Sequence, residues 1–139
     1  MPDSAHKLRQ IEIVVTREVD ISHARQAALA LAQALGFSRA AAYRLATAVS
    51  ELGTNLVFHA THGGIISLSP LDAPGRVGLE LVASDDGPGI ADIDHAMCDG
   101  VSENGGLGSG LPGTRRLMDE FEISSSPGIG TRVVARLWL

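Results

Sequence analysis

The stretch Asn104-Gly-Gly-Leu-Gly-Ser-Gly-Leu-Pro-Gly-Thr-Arg-Arg-Leu117 puts five glycines and a proline at the head of an apolar-periodic run. Glycine admits a backbone with φ > 0 and leaves no Cβ between the amide groups and a ligand. Pro112 suits the first turn of a helix, where its missing N–H costs nothing. One reading is an anion cradle, in which loop amides and the positive end of a helix dipole face a phosphate. The other is a loop that simply ends in a helix. The rest of the chain has to separate the two.

Two familiar phosphate motifs do not fit. A P-loop needs a lysine after its glycines, and the only lysine is Lys7. Gly108-Ser-Gly-Leu-Pro-Gly113 matches the dinucleotide fingerprint letter for letter. That fingerprint must follow a strand, however, and here it follows the polar run Asp99–Asn104.

Working outward, residues 8–19 alternate, with Ile11, Ile13 and Val15 on one face of a strand. Asp20 is read as the N-cap of a helix over Ile21–Leu35, with Gly36 as its stop. Ser38 caps a second helix that carries Leu45, Val49, Leu52 and Leu56 at helical spacing and runs to about His59 or Ala60. Ile65–Ser69 reads as a strand, Asp72-Ala-Pro-Gly75 as a turn, and Val77, Leu79, Leu81 and Ala83 as the inward face of the returning strand. A short helix is expected around Ile93–Met97 and another from about Leu111 to Asp119. Phe121–Ser125 and Thr131–Leu137 close as a hairpin. The order β-α-α-β-β-α-β-β predicts helices packed on one face of a largely antiparallel sheet.

Composition narrows the function. At 139 residues the chain reads as one domain, long enough to bury roughly 68–70% of its unfolded surface. A hydrophobic content of 45% with only 4% aromatic residues predicts a core of aliphatic side chains and alanine. A net charge of -5 argues against a nucleic-acid binder. No apolar run approaches the ~18 residues of a membrane span, and the polar start lacks a signal peptide's apolar region. A lone cysteine, Cys98, fits a reducing cytoplasm and is read as a packed thiol.

Glu51 and Asn55 stand four apart and share a helix face. An acid and an amide so placed can serve as general base and metal ligand, and oxygen donors suit Mg²⁺. The alternative is a solvated polar face. Gly53, between them, costs about 1 kcal/mol relative to alanine in a helix, which invites a reason such as close approach of another group. Asp85-Asp-Gly87-Pro-Gly89 supplies a carboxylate at a strand end and two glycines at alternate positions; an ordinary Asp-Gly turn reads the same way. Gly128-Ile-Gly130-Thr131 also reads as hairpin chemistry. His59 and His62 lack a nearby third metal ligand, and Ser124–Ser126 and His95 read as surface chemistry.

Taken together and in order, Glu51-x-x-x-Asn55, Asp85-x-Gly87-x-Gly89, Gly106-x-Gly108-x-Gly110 and Gly130-Thr131 resemble the nucleotide-binding boxes of the GHKL ATPase and kinase superfamily. The chain is more similar still to the bacterial switch-protein kinases and anti-sigma factors, the RsbW, SpoIIAB and RsbT group. The run from Gly105 to Phe121 looks most like the RsbT branch, and the likeness covers about residues 8 to 137.

The resemblance implies a single ATP-binding kinase domain over residues 1–139. Its fold would be α+β, a two-layer α/β sandwich of the GHKL (Bergerat) type with a mixed, mostly antiparallel sheet and helices on one face. Glu51 would be the general base and Asn55 would hold Mg²⁺ on the phosphates of ATP. Asp85 would read the adenine amine, with Gly87 and Gly89 making room for the base and Thr131 supporting it. Gly106, Leu107, Gly108, Ser109 and Gly110 would form the phosphate loop. No lysine lies near the phosphates, and Arg115 or Arg116 could substitute or face solvent. Only sixteen residues separate Gly89 from Gly106, a short lid compared with the gyrase, chaperone and MutL relatives. The implied activity is that of a cytoplasmic serine/threonine-protein kinase of a partner-switching stress pathway. It would act on a STAS-domain antagonist, with a phosphatase or a sigma factor as further partners. The alternatives are an anti-sigma factor and a plain ATPase.

Overall fold

The computed structural model describes residues 9–60, 62–90, 97 and 110–139. Over these the chain forms β1 (Ile11–Val15), α1 (Glu18–Leu35), α2 (Arg39–His59), β2 (Gly64–Ala73), β3 (Arg76–Asp85), α3 (Gly110–Leu117), β4 (Glu120–Ser126) and β5 (Gly130–Trp138). The strands make one sheet in the order β1-β2-β3-β5-β4. All of its described ladders are antiparallel, where a mixed, mostly antiparallel sheet was expected. The order of elements and the α+β class are as the sequence predicts.

Local chemistry sets the helix ends. The first helix begins at Glu18, ahead of the expected Ile21, so Asp20 is not its N-cap but lies in its first turn. From there its Oδ2 reaches back and accepts the N–H groups of Thr16 and Arg17, both at 3.0 Å. A first-turn carboxylate that satisfies the donors before it lets the helix start early. These two amides, Thr16 first, hold the Asp20 carboxyl below its ordinary value. Gly36 ends the helix at φ 93°, where Phe37 N–H donates to Ala32 O at 3.0 Å. Ser38 caps α2 as expected, its Oγ accepting Ala41 N–H at 3.1 Å.

The core is aliphatic. Ala24, Ala28, Leu31 and Ala32 of α1 and Leu45, Ala48, Val49, Leu52 and Leu56 of α2 bury against Ile66, Leu68, Leu79, Leu81, Ala83, Val133, Ala135 and Leu137 of the sheet. Small side chains let the two helices approach closely. A Cβ on Gly53 would lie 3.2 Å from Ile21 Cγ1, so contact between α1 and α2 accounts for the mid-helix glycine.

β2 runs four residues beyond the expected Ser69. Pro70 does not stop it, because β1 pairs only as far as Leu68 and β2 is an edge strand from there on. On the face away from the helices, Arg136 bridges Glu80 at 2.9 Å and Glu120 at 3.0 Å. Trp138 donates its indole N–H to Glu120, and Arg76 stacks on the Trp138 ring at 4.1 Å.

Period-two alternation carries the buried face toward one end of the sheet. Registered rows cross β3, β5 and β4: Leu81–Ala135–Phe121, then Ala83–Val133–Ile123, then Asp85–Thr131–Ser125. The first two rows are apolar and pack with the core. The third is polar and ends it. That change from apolar to polar on one continuous face marks the candidate site.

Candidate active site

Asp85 closes β3 and stands opposite Thr131 of β5, which in turn stands opposite Ser125 of β4. One carboxylate oxygen of Asp85 accepts the Gly87 N–H at 2.8 Å, an Asx turn that fixes the side chain. The other oxygen makes no hydrogen bond among the described residues.

The glycine loop after Asp85 lies directly on the β4–β5 turn. Gly128 N–H donates to Pro88 O at 2.7 Å. Gly89 has φ +79°, and a Cβ there would sit 2.4 Å from Ser126 O; Gly130 has φ +140°, and its Cβ would sit 2.1 Å from Asp85 O. Both the backbone conformation and the packing therefore require glycine at these two positions.

Ser125, assigned to the surface on sequence grounds, holds this arrangement together. Its Oγ accepts Ile90 N–H at 2.6 Å, pairs with Thr131 Oγ1 at 2.8 Å and donates to Gly130 O at 3.0 Å. A run of three serines gives no composition signal. The signal lies in parity, since Phe121, Ile123 and Ser125 share one face of β4.

An open depression of about 280 Å³ lies at this end of the sheet, lined by Asp85, Ser125 and Thr131 and also by Ser84, Ser124 and Arg132 of the adjacent row. Its size is near the lower limit for a small-molecule site.

Glu51 and Asn55 lie on α2, which packs over β2 and β3. Both are half-buried beside the buried stripe Ala48–Leu52–Leu56. Neither side chain makes a hydrogen bond or ion pair among the described residues. By contrast, neighbouring Ser50 and Thr54 are engaged: Arg25 donates to Ser50 Oγ at 3.1 Å and Thr54 Oγ1 donates to Ser50 O at 2.7 Å. An acid and an amide oxygen at half-buried positions, with no partner among the described residues, fit a proton acceptor and a hard-cation ligand. A single amide oxygen suits Mg²⁺, which is held by few protein groups and completes its shell with water and phosphate.

Gly110 opens α3, Pro112 falls in its first turn, and Thr114 is fully buried where α3 packs on α2. Arg115 and Arg116 are exposed on the last turn. Gly106, Leu107, Gly108 and Ser109 lie outside the described residues, as do His95, Cys98 and most of the expected Ile93–Met97 helix. Among the described residues no group of three or more His, Cys, Asp or Glu side chains is arranged for a metal.

The family model of the histidine kinase-like ATPase domain matches residues 14–137, from within β1 to within β5. The chain belongs to the histidine kinase-like ATPase family. Within this family it is RsbT-like. It is 45% identical over 125 residues to the serine/threonine-protein kinase RsbT of Bacillus subtilis (strain 168), covering 90% of this chain and 93% of that protein. It is also 36% identical over 92 residues to the anti-sigma F factors of Caldanaerobacter subterraneus subsp. tengcongensis and of Thermoanaerobacter sp. (strain X514), in each case covering 63% of both chains. All four sequence boxes fall inside the span matched by the ATPase family, and the Asp85–Thr131–Ser125 row joins two of them.

Proposed function

We propose that this chain is an ATP-dependent serine/threonine-protein kinase of a bacterial partner-switching pathway, folded as one GHKL-type domain over residues 1–139. The observation that carries the reading is the pair Glu51 and Asn55, half-buried and without a hydrogen-bond or ion-pair partner among the described residues, on the helix over the sheet that ends in Asp85 and Thr131. The likeness to RsbT over nine-tenths of the chain adds to it.

The assignment of roles follows the chemistry of each group. The Asp85 oxygen that has no partner among the described residues accepts from the exocyclic amine of adenine. Gly87 and Gly89 let the base lie against backbone, and Thr131 supports it from β5. Gly106, Leu107, Gly108, Ser109 and Gly110 give backbone amides to the phosphates ahead of α3, where the helix dipole favours negative charge. Asn55 holds Mg²⁺, which when bound neutralises charge on the phosphates. Glu51 takes the proton of the acceptor hydroxyl as its oxygen bonds to the γ-phosphorus and the bond to the bridging oxygen of ADP breaks. Phosphoryl transfer asks a protein mainly for such positioning and charge neutralisation.

The partner that fits is a STAS-domain antagonist whose phosphorylation alters which protein it holds, with a phosphatase or a sigma factor completing the exchange. A cytoplasmic setting agrees with the single cysteine. A net charge of -5 speaks against nucleic acid as a partner, and no helix among the described residues is long and apolar enough to cross a membrane. A second reading, an anti-sigma factor that sequesters a sigma subunit, is favoured by the 36% identity to the anti-sigma F factors.

Incubation with γ-labelled Mg-ATP and a purified STAS-domain protein tests the two together. The kinase reading expects label on a serine or threonine of that protein. Stable capture of a sigma subunit without transfer favours the second reading, and label found only as free phosphate indicates a plain ATPase.

A further inference from the structure

We infer that Ser125 is a positioning residue for the base, setting the proton of Thr131 so that the pocket accepts a purine bearing an amine and rejects one bearing a carbonyl. The inference rests on the adenine reading of Asp85 and Thr131 given above.

Hydrogen-bond accounting carries it. A serine hydroxyl has one proton to give and two lone pairs to receive with. One lone pair of Ser125 Oγ takes the Ile90 N–H at 2.6 Å. The contact with Gly130 O at 3.0 Å is one in which only the hydroxyl can donate, since a carbonyl has no proton. The 2.8 Å contact with Thr131 Oγ1 is then made by the remaining lone pair, so Thr131 is the donor there. With its proton spent on Ser125, Thr131 Oγ1 has only lone pairs to offer the pocket. Opposite it stands Asp85, whose second oxygen, without a partner among the described residues, is also an acceptor.

The result is a recognition edge with acceptors alone. Adenine carries an amine donor at its six-position, whereas guanine carries a carbonyl acceptor there. Facing acceptors, guanine's carbonyl goes unpaired, and an unpaired buried acceptor is penalised more heavily than a good pair is rewarded. Ser125 touches no part of the nucleotide in this account. It acts through Thr131, and through Ile90 it keeps the Asp85–Gly89 loop seated on the β4–β5 turn. Removing its hydroxyl frees the Thr131 proton to rotate toward the base, which relaxes the discrimination.

Calorimetric affinities of the full chain for Mg-ATP and Mg-GTP test this, alongside KM and kcat for phosphate transfer. Ser125→Ala is expected to shrink the ATP-to-GTP affinity ratio by about tenfold, the worth of roughly one hydrogen bond. KM for ATP should rise and kcat at saturating ATP should stay within twofold. Ser125→Thr, which keeps a hydroxyl, should restore most of the ratio. If Ser125→Ala does not fold, Thr131→Val, which keeps the branched shape and loses the hydroxyl, is expected to shrink the ratio in the same way. An unchanged ratio in a folded Ser125→Ala or Thr131→Val chain overturns the inference, as does a Ser125→Thr chain that behaves like Ser125→Ala. Asp85→Asn separates this from the parent reading. Weakened ATP binding in Asp85→Asn with an unchanged ratio in Ser125→Ala sinks the Ser125 inference alone. Unchanged ATP binding in Asp85→Asn sinks the adenine reading beneath it.

Discussion

Asp85 and Thr131 face each other across the β3–β5 ladder, and Gly130, just before Thr131, presses so close to Asp85 that a Cβ there would lie 2.1 Å from its carbonyl oxygen. The close approach of the two strands at this point brings a carboxylate and a hydroxyl from distant parts of the sequence into one row.

Gly130→Ala should therefore damage both fold and site. Its φ of +140° is strained for any side chain, and the clash is with backbone, which has no rotamer to escape into. We expect a loss of about 3 kcal/mol in denaturant titrations, combining strain with displacement of β5. ATP affinity should fall with it. A variant as stable as the parent would show that the two strands part more readily than this packing allows.

Ser38→Ala separates stability from activity. The hydroxyl caps α2 by accepting Ala41 N–H, well away in sequence from Glu51 and Asn55. Its removal should cost about 1 kcal/mol in chemical denaturation. Phosphate transfer at saturating ATP should be unaltered.

Asp20 gives the fold an acid-sensitive element. Its folded-state carboxyl is held below the ordinary value by the amides of Thr16 and Arg17, so the ionised form favours folding. That contribution is present above the unfolded value, near about pH 4, and is lost as pH falls through the lower folded value. The stability gap between the parent and Asp20→Asn should hold from neutrality to about pH 5 and narrow toward about pH 3. A gap that widened on acidification would contradict the sign of the shift.

Metal dependence should follow Asn55. Asn55→Ala is expected to raise the Mg²⁺ concentration for half-maximal transfer by about tenfold or more, by analogy with the loss of other supporting groups at metal sites. Binding of ATP in excess chelator should change little, because Asp85 and Thr131 are intact. An unchanged Mg²⁺ titration would place the metal elsewhere.

Much of this was legible in the sequence because the signals were local. Ser38 and Gly36 bound their helices where capping chemistry puts them. Alternation over Val77, Leu79, Leu81 and Ala83 marks the inward face of β3, of which Leu79, Leu81 and Ala83 are buried and Val77, at the start of the strand, is exposed. Asp20 misled because an N-cap and a first-turn acid look alike in a string of letters. Only the partners, Thr16 and Arg17, tell them apart. The strand read as Ile65–Ser69 runs on through Pro70 to Ala73, and what tolerates the proline is the shortness of β1, a non-local fact. Ser125 reads as a surface residue in the sequence for the same reason. Its importance comes from register with Thr131 and from contact with Ile90, 35 residues away in the chain.

The most direct measurement is transfer of label from γ-labelled Mg-ATP to a STAS-domain protein by the parent chain and by Glu51→Ala, with ATP affinity measured on both. The account predicts equal ATP binding within threefold and a transfer rate lower by about 10²–10⁴ in the variant, the usual worth of a positioned base. Transfer at the parental rate by Glu51→Ala would contradict it.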